Sequence, residues 1–228
     1  MTQVLRLVSS MAAREVLAEL AQAFTRTTGQ PVSCEAGGGV EVAKRIAAGE
    51  AADVVVLSDT AIDKLIAGGS LAPGRFDLVR SGVAIAVRAG VAQPAVGTED
   101  EVRAAVLAAA SLSYSTGPSG VYLEKLFERW GVLEQVRPRI VVPPPGIPVG
   151  QLVAEGRAAL GFQQLSELLN VPGIQVLGPL PAAIQTVTTF SGAVGATSGQ
   201  AEAARALLAF MQQPEATEVK VRYGMEPV

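Results

Sequence analysis

Short apolar runs alternate with helix-periodic segments along most of this chain, and no other feature of the sequence restricts its fold as much. Strand-like runs fall at 4–8, 52–57, 83–87, 112–115, 139–142, 158–163 and 174–177. Between them apolar residues recur at helical spacing. Val16, Leu17, Leu20 and Phe24 form one stripe, and Leu123, Leu126, Phe127 and Trp130 a second. Val102, Val106 and Ala109 repeat the pattern, as do Ala203, Leu207 and Met211. Each stripe must be buried against another layer. Strands and helices taking turns at this rate predict an α/β fold of mostly parallel sheets, because each parallel pair needs a crossover and a helix supplies it. The segment 186–196 differs: rich in Thr, Val and Gly, it reads as extended chain passing from one sheet back to another. These features fit two α/β lobes, the second inserted into the first: lobe one 1–79 plus 190–228, lobe two 80–189.

Composition narrows the chemistry. With 228 residues, 49% of them apolar and 17% charged, the chain has material for one large or two small cores. It contains no histidine and a single cysteine, Cys34. That removes Ser-His-Asp and Cys-His catalysis, an internal disulfide and the common zinc and haem sites, so neither a cofactor nor a metal is expected. The net charge is −3 and the 18 basic residues are scattered, which argues against nucleic acid as a partner. No apolar run reaches the roughly 18–20 residues of a membrane helix, so no direct membrane insertion is expected. Met1-Thr2-Gln3 leads straight into the first apolar run, without the basic start, long apolar stretch and cleavage site of an export signal. As it stands the sequence reads as cytoplasmic; it would read as periplasmic if a leader had been removed.

In open parallel sheets a ligand sits beyond the carboxyl ends of the strands, where helix N-termini present backbone N–H groups. Four such turns here are built from small residues. Ser9-Ser10-Met11 precedes a predicted helix over 12–27, and Gly37-Gly38-Gly39 precedes the helix carrying Val42 and Ile46. Ser115-Thr116-Gly117-Pro118-Ser119-Gly120 precedes the Leu123 helix, and Pro143-Pro144-Pro145-Gly146 precedes a helix over 149–155. Unobstructed amides and small hydroxyls suit a small anion. A helix N-terminus contributes about 0.3–1 kcal/mol at an exposed site, and each hydrogen bond to a charged acceptor roughly 1.5–3 kcal/mol. Taken singly, the same residues serve as N-caps and tight turns. No Gly-Lys-Ser or Gly-Lys-Thr phosphate loop is present, and the glycine triplet lacks dinucleotide-binding spacing. Arg80 and Ser81 stand before the 83–87 strand, where an arginine pairs with a carboxylate ligand or with a surface acid. Gln163 and Gln164 end another strand, and alternation lets only one of them face a ligand. Tyr122 reads as a packing residue.

At these loops the chain resembles the molybdate-binding-protein-like branch of bacterial solute-binding proteins, which have the type 2 periplasmic-binding fold. The resemblance runs from the opening strand with Ser-Ser-Met through Ala-Phe-Thr-Arg-Thr-Thr-Gly at 23–29 and the triplet 37–39. It continues at 45–54, at 156–162 and at the C-terminal stretches 206–210, 214–216 and 223–224. It implies two lobes joined by two crossing strands, closing like a clamp on a small anion and delivering it to an ABC transporter permease. The ligand-binding residues on this reading are Ser9, Ser10, Gly37, Gly38, Gly39, Arg80, Ser81, Ser119, Gly120, Gly146 and Gln164. The branch places a hydroxyl after strand two and a tyrosine late in the second lobe; this chain has glycine throughout 37–39 and Gln164 instead, which points from molybdate toward an organic acid. An aconitate isomerase also resembles the family, giving a second expectation: an isomerase of an unsaturated polycarboxylate. Its base would be Glu35, Glu41, Asp59, Tyr122 or a lysine, Glu35 being the easiest to place and also readable as a strand-end surface carboxylate.

Overall fold

The computed structural model describes residues 3–144 and 146–228; Met1, Thr2 and Pro145 of the proline-rich break lie outside the described residues. In chain order the elements are β1 (Leu5–Ser10), a single 3-10 turn (Met11–Ala13), α1 (Arg14–Thr28), β2 (Val32–Gly37), α2 (Gly39–Ala47), β3 (Val54–Ser58), α3 (Asp59–Ala67) and β4 (Phe76–Arg88). There follow α4 (Glu99–Ala108), β5 (Leu112–Tyr114), α5 (Pro118–Arg129), α6 (Leu133–Val136), α7 (Val149–Ala154), β6 (Leu160–Gln164) and α8 (Leu165–Leu168). The chain ends with β7 (Ile174–Pro179), β8 (Val187–Val194), α9 (Ala201–Met211), α10 (Thr217–Arg222) and β9 (Glu226–Pro227). Two compact units emerge: the residues up to Ser81 with Thr188–Val228, and Gly82–Val187.

In the first unit the strand order is β2-β1-β3-β8-β4, with β9 also on β4. β1 is parallel to β2 and β3, whereas β3–β8 and β4–β9 are antiparallel. Two-residue alternation sorts the side chains into layers. Leu5, Leu7, Val54 and Val56 pack with the α1 stripe and with Leu207, Leu208 and Met211 of α9. Val8, Val55 and Leu57 face the other way, against Val42 and Ile46 of α2 and Ile62 and Leu65 of α3.

In the second unit β4 pairs antiparallel with β6 and β7, and β5 lies parallel to β6. Val83, Ile85, Val87 and Phe162 bury against Val102 and Val106 of α4 and Leu123, Leu126 and Phe127 of α5. Helix α4 starts at a capping box: Thr98 Oγ1 accepts from the Glu101 N–H while the Glu101 carboxylate accepts from the Thr98 N–H.

Three sequence expectations are corrected. The sheet is mixed, not mostly parallel, because β4 and β8 enter against the direction of their neighbours with no crossover helix. The 139–142 run forms no strand, only an isolated bridge between Leu112 and Ile140. Pro138, Pro143 and Pro144 lack the N–H groups a ladder would use. The 83–87 run is the distal part of a thirteen-residue strand, β4, whose first half is interrupted in the sequence by Asp77, Arg80, Ser81 and Gly82.

Candidate ligand-binding site

Strands β1, β2 and β3 end together in the first unit, and each carboxyl end carries a small residue. In the β1–β2 register Ser10 stands opposite Gly37, and β1 and β3 run alongside with Ser9 opposite Val56. Val8 faces the α2–α3 layer, so the two-residue period aims Ser10 the same way. A Cβ on Gly39 would lie 3.5 Å from Ser10 Cβ, which places the start of α2 directly over this side chain. Ser10 is 6% exposed, and its Oγ is fully buried with no hydrogen-bond partner among the described residues. A buried hydroxyl left unpaired costs about 1–3 kcal/mol, which makes it a marker for a missing polar partner.

The glycine triplet completes the cradle. Gly38 is the N-cap of α2 and supplies no side-chain cap. Its carbonyl accepts from Val42 N–H at 2.9 Å, so the preceding amides of the first turn are not used within the helix. Ser9 is differently engaged: its Oγ donates to the Ser10 carbonyl at 3.2 Å. Ser58, which the sequence reading passed over, ends β3 and lies half-buried before α3, its Oγ 3.4 Å from Thr60 Oγ1. Its signal was available, since it follows a strand-like run as Ser10 does. Arg80 lies exposed on β4 opposite Glu226 of β9, and Ser81 next to it is buried.

In the second unit β5 lies parallel to β6 and ends at Tyr114, opposite Phe162 and two residues short of the end of β6. Ser119, in the first turn of α5, is buried and shares a 2.8 Å hydrogen bond with Ser115. Gly120 serves close packing: a Cβ there would stand 1.7 Å from the Ser115 carbonyl oxygen. Gly146 adopts φ 78°, the left-handed region that glycine reaches without strain. The two glutamines are successive residues of β6. Gln163 accepts from Gly150 N–H at 3.2 Å and donates to Glu167 at 2.8 Å, tying β6 to α7 and α8. Gln164 is buried at the end of β6.

The base candidates sort clearly. Glu35 is held by Arg6 at 2.8 Å and by Arg45, and both guanidiniums also grip Glu50. The Arg6 and Arg45 hydrogen bonds hold the Glu35 carboxyl below the usual range, and those of Arg45 and Arg6 bring Glu50 down to about 2. Glu35 is thus held in ion pairs with two arginines at the exposed edge of β2. Tyr122 donates its hydroxyl to the Ile184 carbonyl at 2.8 Å, a packing role. Asp59 accepts from Thr60 N–H. Glu41 is exposed in the first turn of α2. Lys220 of α10 is 2% exposed, and burial lowers its ammonium pKa.

The profile of the family described as bacterial extracellular solute-binding protein matches residues 5–226, and the chain belongs to that family. An aconitate isomerase from a Pseudomonas species is 37% identical over 233 residues, covering 98% of this chain and 88% of that protein. The periplasmic molybdate-binding protein of Azotobacter vinelandii superposes with a TM-score of 0.80 at 21% identity, over 97% of this chain and 98% of that one. The sulfate-binding protein SubI of Mycobacterium tuberculosis gives a TM-score of 0.79 at 18% identity, over 100% of this chain and 88% of that one. The fold is thus the mixed α/β fold of type 2 periplasmic binding proteins.

Proposed function

We propose that this protein binds a small polycarboxylate anion at the carboxyl ends of β1 and β2, with the Ser10 hydroxyl and the first-turn amides of α2 as donors. One observation carries the reading: a buried hydroxyl without a partner lies under a glycine-built helix start. A carboxylate oxygen supplies the missing acceptor, and the N-terminal amides of a nine-residue helix favour negative charge. The choice of a polycarboxylate over a tetrahedral oxyanion rests on the 37% identity to an aconitate isomerase. The clamp that the family resemblance implies, with Arg80, Ser81, Ser119, Gly120, Gly146 and Gln164 as further ligand residues and a permease as recipient, belongs to the same proposal. Titration calorimetry with cis-aconitate, trans-aconitate, citrate, sulfate and molybdate tests it. Carboxylates should give heat and the oxyanions little; silence from every carboxylate would end the proposal.

A second reading, isomerisation of the bound polycarboxylate, is supported by the 37% identity to an aconitate isomerase. With Glu35 ion-paired, Glu41 becomes the base we assign, since it stands in the first turn of α2. Proton NMR in heavy water separates the two readings. An isomerase exchanges the substrate's acidic C–H for deuterium and interconverts cis- and trans-aconitate, whereas a receptor returns either compound unchanged. Glu41→Gln should abolish exchange while leaving binding measurable.

A further inference from the structure

The second unit contains a cleft that the proposed function does not use. It lies where β4 ends and β6 begins, at the opposite end of β6 from Gln164. Its volume is about 370 Å³, within the range of small-molecule sites. The lining is mostly apolar and small, and includes Val87, Val91, Ala105 and Ala108 of α4, Ala158 and Leu160. One charged side chain enters the lining, Arg88. Its guanidinium lies over Gly156, where a Cβ would come within 3.2 Å of Nη1, so the missing side chain is what gives the head group its place. The neighbouring arginines are engaged elsewhere. Arg139 donates to the Leu107 and Ala109 carbonyls at the end of α4, and Arg157 pairs with Glu155. The Arg88 carbonyl accepts from the Val91 N–H, but its guanidinium has no hydrogen bond or ion pair to any described residue.

An apolar cleft with one uncommitted guanidinium in its lining is complementary to an amphiphilic anion. We propose that this cleft binds a small monocarboxylate with an apolar body, a short-chain fatty acid or an aromatic acid, its body between α4 and the strand ends and its carboxylate on Arg88. A planar guanidinium donates two parallel hydrogen bonds to a carboxylate, and alanine walls leave space for a chain or a ring. The polycarboxylates of the proposed function do not fit this description, because their further charges would be left against apolar walls. The inference therefore stands apart from that reading.

The test uses the full chain with hexanoate, benzoate and the uncharged hexanamide, followed by saturation-transfer NMR and calorimetry. Both acids should bind, and hexanamide should bind about tenfold or more weaker, the value of one charge-assisted pair. Arg88→Gln should bring the acids down to the level of the amide. Ala108→Leu, a substitution at an exposed helix position that fills the cleft, should remove binding of all three. Ser10→Ala should change none of these affinities, and thermal melts of each variant verify folding. Absence of binding by both acids, equal affinity for acid and amide, or insensitivity to both cleft substitutions would overturn the proposal. So would loss of binding in Ser10→Ala, which would assign the acids to the strand-end site instead.

Discussion

Ser10 shows how one side chain connects folding to ligand recognition. Its hydroxyl leaves water on folding and meets no partner among the described residues, a desolvation cost of about 1–3 kcal/mol at this position. Ser10→Ala should therefore weaken anion binding roughly 10- to 100-fold, the value of a hydrogen bond to a charged acceptor. The same change should leave the unliganded melting temperature unchanged or raised, and calorimetry with thermal denaturation reads both effects. A serine needed only for structure would lower both. Glu50 gives the opposite case, a side chain whose partners are all present. Its carboxyl is drawn from 4.5 to about 2 by Arg45 and Arg6. A depressed folded-state pKa contributes stability that is complete above the unfolded value and disappears as pH falls through the folded one. Melting temperatures of the wild type and Arg45→Met should differ above about pH 5 and converge toward about pH 2, the gap narrowing in high salt. In the sequence Glu35 was readable either as a base or as a strand-end surface carboxylate. Its partners lie 29 and 10 residues away, and no local pattern reports them.

At the scale of elements, the helices were the most legible. The stripe of α1 lies in the core, and those of α4, α5 and α9 do so except for Ala109, Trp130 and Ala203, which are partly buried against it, since a 3.6-residue period can satisfy only one buried face. Strands were legible where both faces are buried, as in β1 and β3, and less so elsewhere. β2 is an edge strand with Ser33, Cys34 and Glu35 exposed, so it has no apolar run to show. The 139–142 run misled for the reverse reason: its side chains suit a strand, but the flanking prolines deny it a ladder. The start of α5 provides a test at this scale. Gly120 lets the helix approach the Ser115 carbonyl more closely than any Cβ permits. Gly120→Ala should cost about 1–3 kcal/mol in urea unfolding, the penalty for overpacking a site walled by backbone. It should also disturb the Ser115–Ser119 hydrogen bond.

For the whole molecule, the informative quantity is linkage between ligand and stability. A ligand that binds only the folded chain raises unfolding free energy by RT ln(1 + [L]/Kd), about 2.7 kcal/mol at a hundredfold excess over Kd. Thermal scans with citrate or an aconitate should show a concentration-dependent rise in melting temperature, abolished first in Ser10→Ala; a flat response would contradict the proposed function. No helix among the described residues is long and apolar enough to cross a membrane.

The amino-acid sequence by itself determined the α/β alternation, the buried face of each long helix and the small-residue turns, because these depend on periods of two and 3.6 residues and on local backbone preferences. Tertiary structure alone decided that the sheet is mixed, that Ser10 lies opposite Gly37 and beneath Gly39, that Glu35 is ion-paired and that Arg88 borders an apolar cleft. Each of these depends on register and on pairing between residues distant in the chain, which are fixed only when the layers pack against one another.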